Sequence, residues 1–110
     1  MPNVKIYTDQ TVWVRHAEDI SALLPPLREL LCRELKVGFH ACQIVALPVH
    51  GLPDQADINI ELHILPAPDR TRDVLTSLAE AMRDVLARAT AAKIAVRIAT
   101  LDPQTYVALK

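Results

Sequence analysis

The sequence predicts an α+β fold, a tandem β-α-β doublet whose four-stranded sheet carries two helices on one face. Three observations predict it. Short stretches in which apolar and polar residues alternate, the mark of half-buried strands, occur four times. Two longer segments carry apolar residues at helical spacing along a single stripe. The elements also run through the same order twice, so the 110 residues form one domain, 1–110, with pseudo-repeats 1–55 and 56–110.

The first strand is Val4 to Thr8, where Val4, Ile6 and Thr8 alternate with Lys5 and Tyr7. A polar loop follows from Asp9 to Asp19, with Trp13 as its anchor. From Asp19 to Lys36 the residues Ile20, Leu23, Leu24, Leu27, Leu30, Leu31 and Leu35 make a helical stripe. Pro25 and Pro26 fit this helix only in its first turn, where the missing N–H groups do no harm, so it can also begin near Leu24. Gly38 is the expected stop. Ala41 to Val49 is the second strand, ended by Pro48 and the turn His50-Gly51-Leu52-Pro53.

The second half repeats the plan. Asp57 to Leu65 alternates Ile58, Ile60, Leu62 and Ile64 against Asn59, Glu61 and His63, and Pro66 to Asp69 breaks it. Thr71 to Ala89 is the second helix, with Val74, Leu75, Leu78, Met82, Val85 and Leu86 on its stripe. Lys93 to Leu101 is the fourth strand, with Ile94, Val96 and Ile98 on one face. Each helix has one apolar face, so both cover the same side of the sheet. The other side shows Lys5, Tyr7, Glu61, His63 and Arg97, and must meet water or another subunit.

Composition narrows the function. Twelve Lys and Arg against thirteen Asp and Glu leave a net charge of −1, which argues against a nucleic-acid partner. The only glycines, Gly38 and Gly51, exclude a glycine-rich phosphate loop. No apolar run approaches the roughly 20 residues of a membrane span, so no membrane partner is expected. Cys32 and Cys42 match no zinc spacing, and two reduced thiols suit a cytoplasmic protein. His16, His40, His50 and His63 are scattered, and His40-Ala41-Cys42 would chelate only weakly, so no metal is expected. Glu18 and Asp19 are adjacent and point apart, which disfavours a paired-carboxylate hydrolase. An aliphatic excess, 51% hydrophobic with 4% aromatic, points to self-association.

The opening Met1-Pro2-Asn3-Val4-Lys5-Ile6 puts a proline second, with a strand directly after it. Glu61-Leu62-His63-Ile64-Leu65, the helix from Thr71 to Ala89 and Val96-Arg97-Ile98 follow in the second half. Together these resemble the tautomerase superfamily, which includes 4-oxalocrotonate tautomerase, 5-carboxymethyl-2-hydroxymuconate isomerase and macrophage migration inhibitory factor (MIF). The second half is similar to most of a 4-oxalocrotonate tautomerase subunit. The length and the ending around Thr105-Tyr106 look more like an uncharacterised bacterial branch. The resemblance implies a homotrimer, removal of Met1, and no cofactor. It implies an N-terminal proline acting as general base in keto–enol proton transfer on a small keto or enol acid.

The physical demands of that chemistry select the candidates. A general base works best with a pKa near the working pH, and burial lowers the pKa of an amine. Pro2 is the candidate base; its alternative role is rigid strand entry. A carboxylate substrate needs a cation and its developing oxyanion needs a donor. Arg97 lies where 4-oxalocrotonate tautomerase has a substrate-binding arginine in a Val-Arg-Val segment; its alternative is a salt bridge to Glu61 or an intersubunit contact. The pseudo-symmetric place in the first half holds Gln43, so an arginine is missing there. Arg70, with Arg72, lies near the family's other functional arginine, or simply begins a helix in solvent. Lys36 lies near a MIF active-site lysine, or complements a helix C-terminus. Tyr106 supplies a phenol donor, an aromatic wall or C-terminal packing. Two other readings stand beside the enzyme: a non-catalytic trimeric binding or structural homologue, and a ferredoxin-like small-ligand-binding module, whose order of elements is the same.

Overall fold

The computed structural model describes residues 2–110. The expected removal of Met1 concerns a residue outside the described ones. The chain runs β1 (Asn3–Asp9), α1 (Gln10–Leu35), a 3-10 turn at Phe39–Ala41, β2 (Gln43–Val49), β3 (Ile58–Ile64), α2 (Arg72–Thr90) and β4 (Ile94–Thr100). The sheet order is β2-β1-β3-β4. β1 pairs parallel with β2, β3 pairs parallel with β4, and β1 meets β3 antiparallel. Two parallel β-α-β pairs thus stand side by side. This order overturns the ferredoxin-like alternative, in which the strands of the two units interleave.

Alternation decides which side of the sheet is dry. Val4, Ile6 and Thr8 of β1 and Ile58, Ile60, Leu62 and Ile64 of β3 are each at most 1% exposed. They face Ile20, Leu27, Leu31 and Leu35 of α1 and Leu78, Met82 and Leu86 of α2, which form one core with them. Each of the apolar side chains among them contributes about 1.5–3 kcal/mol by leaving water. The opposite face carries Asn3, Lys5 and Tyr7 beside His63, Glu61 and Asn59.

The first helix departs from the sequence expectation in three ways. It begins at Gln10, so Asp9 to Asp19 is helical and not a loop. Asp9 caps it, accepting from the Thr11 N–H at 3.1 Å and the Thr11 hydroxyl at 2.6 Å. Those bonds, the hydroxyl first, hold the Asp9 carboxyl below its ordinary pKa. The segment kinks at His16 (φ −130°, ψ 18°), whose Nδ1 lies 3.2 Å from Asp19. Trp13 is accordingly a helical residue packed against the core.

Pro25 and Pro26 lie well inside α1 and not in its first turn. The carbonyls they leave unpaired belong to Ser21 and Ala22, both exposed residues, where water can take the place of the missing N–H groups. The helix stops at Lys36, which adopts the left-handed conformation (φ 57°) while its N–H bonds the Cys32 carbonyl. Gly38 is extended (φ −79°) and plays no part in that stop.

This topology collects functional candidates at one end of the sheet. Asn3 sits between Gln43 and His63 in register. The start of β1, the end of α1, the end of β3 and the start of α2 therefore share that end.

Candidate active site

Pro2 lies directly before β1, is buried, and its carbonyl accepts from the Gln43 N–H at 3.0 Å. It borders a cavity of about 290 Å³ together with Asn3, His40, Gln43, Tyr106, Ala108 and Lys110. Several separate segments build this cavity. Tyr106 reaches it because the chain turns after β4: Leu101 N–H bonds the Ile64 carbonyl at 2.8 Å, and Tyr106 N–H bonds the Asp102 carbonyl at 2.9 Å. The Asp102 side chain accepts from Gln104 N–H at 2.9 Å, an Asx-type turn. His40 reaches it from the 3-10 turn, where Ala41 N–H bonds the Gly38 carbonyl and Cys42 N–H bonds that of Phe39. The Arg28 guanidinium lies 4.8 Å from the Phe39 ring centre and holds that turn against α1.

The other candidates lie elsewhere. Arg97 is exposed on the open face of β4, beside Glu61 in register, and donates to Asn59 Oδ1. It borders a different cavity, with Gln55, Ala56 and Asn59, so one chain does not bring it to Pro2. Glu61 meets His63 at 3.9 Å. Arg70 is half-buried and donates to the Leu65 carbonyl at 2.6 Å and the Leu35 carbonyl at 3.2 Å. Its guanidinium ties the end of α1 to the segment after β3. Lys36 points its ammonium to Asp69 at 3.3 Å and holds that carboxyl below its ordinary pKa. Of the five candidates, the chain brings Pro2 and Tyr106 together.

No protein-family profile matches the chain, and no curated protein matches it in sequence. Solved structures do match in shape. A protein of unknown function from Vibrio cholerae O1 biovar eltor superposes with a TM-score of 0.74 at 14% identity, over 97% of this chain and 83% of that one. N1, a member of the cis-3-chloroacrylic acid dehalogenase family, gives 0.70 at 12%, over 96% and 79%. The MIF-like protein of Entamoeba histolytica gives 0.68 at 8%, over 97% and 94%. The chain has the tautomerase-superfamily fold.

Within this tautomerase fold, Pro2 and Asn3 at the head of β1 border a cavity. His40 was missed as a cavity residue. Its signal was local: a histidine two residues after a glycine, in the connection between a helix and a strand. Gln43 occupies the cavity where the pseudo-symmetric arginine was missing, and offers an amide in place of a charge. Among the described residues, no three His, Cys, Asp or Glu side chains gather as a metal cluster. No helix among them is long and apolar enough to cross a membrane.

Proposed function

We propose that this protein is a tautomerase-like isomerase, catalysing keto–enol proton transfer on a small keto or enol carboxylic acid with Pro2 as general base. The observation that carries this reading is the burial of Pro2 at the head of β1, in a cavity shared with the Tyr106 phenol. Removal of Met1, which a small second residue permits, makes the Pro2 nitrogen a secondary amine. Burial disfavours its charged form and brings its pKa down toward the range in which a base works. The amine takes the enol hydroxyl proton and returns a proton to the adjacent carbon, so no net charge or mass changes. The Tyr106 O–H donates to the oxygen on which charge develops. Arg97 serves the substrate carboxylate only if assembly brings β4 of another copy beside the cavity, and the proposed assembly is a homotrimer. Arg70 and Lys36, engaged by backbone carbonyls and by Asp69, shape the end of the sheet on which the cavity lies.

The test is ketonisation of phenylenolpyruvate by protein shown by intact mass to lack Met1. Turnover is expected, and Pro2→Ala, which replaces the rigid amine with a mobile primary one, is expected to lower kcat/KM by about 10²-fold or more. Absence of turnover in the mass-verified protein would defeat the reading. One observation favours the non-catalytic alternative: among the described residues no arginine borders the Pro2 cavity. Intact Met1 on the protein from its native cell would decide for a binding or structural role, because Pro2 would then hold an amide nitrogen.

A further inference from the structure

We infer that His40 holds the substrate carboxylate in the Pro2 cavity by donating a ring N–H to one of its oxygens, and that Gly38 is the residue that lets the ring lie there. The inference rests on the Pro2 reading for its reaction, but on separate observations for its ligand.

The cavity has the size and polarity for a small acid. Its volume of about 290 Å³ lies below the range of pockets for drug-sized ligands. Among the described residues no Asp or Glu side chain borders it. Within one chain the cations that the sequence suggests are placed elsewhere: Arg97 at another cavity, Arg70 on two carbonyls, Lys36 on Asp69. Among the described residues the His40 ring makes no hydrogen bond or ion pair, so its nitrogens are open to a ligand.

The ring, although exposed, lies close over Gly38. A methyl group at Gly38 would lie 2.8 Å from His40 Cε1 and 3.0 Å from Nδ1, closer than a side-chain carbon tolerates. Gly38 is extended, and backbone conformation does not call for a glycine there. The glycine instead admits the close approach of the imidazole. The turn that carries His40 is closed by its own Ala41 and Cys42 backbone bonds and rests against α1 through the Arg28–Phe39 contact.

The experiment combines steady-state kinetics on phenylenolpyruvate with NMR of the His40 Cε1–H, titrated with phenylpyruvate and with its neutral methyl ester. A hydrogen bond to a charged group sets the expected scale, so His40→Ala should raise KM by about tenfold or more while kcat stays within about threefold. His40→Gln, which keeps an N–H donor, should recover part of that loss. Gly38→Ala should raise KM by displacing the ring. The Cε1–H resonance should move with the acid and not with the ester. Unchanged KM in His40→Ala, or equal shifts with acid and ester, would overturn the inference while leaving Pro2 catalysis standing. An acid-specific shift in protein that turns nothing over would uphold His40 as a carboxylate site and defeat the Pro2 reading alone.

Discussion

Thr8 is fully buried on the helix-facing side of β1, yet its hydroxyl has no hydrogen-bond partner. A buried hydroxyl left unpaired costs about 1–3 kcal/mol, and valine fills the same space without it. Thr8→Val is therefore expected to stabilise the protein by about 1–2 kcal/mol, read as a higher urea midpoint at unchanged slope. A lower midpoint would mean that the hydroxyl is satisfied in solution. Cys42 carries the opposite lesson about buried polar atoms. Burial, and then the neighbouring Cys32 thiol, push its pKa from an ordinary 9.0 up to about 11. The folded state thus favours the neutral thiol. Its contribution to stability is complete below pH 9.0 and fades as pH rises through about 11. At neutral pH Cys42 should resist iodoacetamide in the native protein and react once the chain is unfolded; fast native labelling would contradict this placement.

Helix ends are where sequence and structure diverge, and α1 shows why. Its helical period does extend backward, since Val12, His16 and Ile20 stand four residues apart. The polar residues between them, and the kink at His16, disguise it as a loop. Strands β3 and β4 and helix α2 were legible to within a residue or so, because strict alternation and a clean stripe each admit one period. The site was legible only in part. Pro2 announces itself by position, but the partners of Arg70 are backbone carbonyls 5 and 35 residues away, which no local pattern encodes. The stops of both helices follow the same physics. Lys36 and Ala91 take left-handed conformations (φ 57° and 55°) that side chains with a Cβ adopt at a cost. Lys36 also meets Asp69, whereas Ala91 is exposed and makes only its cap bond to the Ala87 carbonyl. Ala91→Gly is expected to raise stability by about 0.5–1 kcal/mol, and a loss in thermal unfolding would refute this account of the cap.

At the scale of the whole molecule, the sheet has one face buried under helices and one with nothing on it. Its open rows read Val45-Lys5-Glu61-Arg97 and Leu47-Tyr7-Asn59-Ala95 across β2, β1, β3 and β4. Apolar residues thus line the β2 edge, with charged and polar ones toward the centre. Val45 is 37% exposed, although valine is more often buried. Both β2 and β4 are also edge strands with unpaired backbone groups, a state that invites pairing with another chain. Closed assembly would cover the β2 column and the two edges together, and could bring Arg97 of one copy toward the Pro2 cavity of another. The proposed trimer then predicts a light-scattering mass three times the 12.2 kDa of the chain. Val45→Asp, which sets a charge in the apolar column but leaves the helix-facing core untouched, should return the mass to that of one chain. It should also cost activity through loss of Arg97. If the unaltered protein stays at 12.2 kDa across concentrations and still turns over substrate, Arg97 has no part in the site and the carboxylate must be held from within one chain.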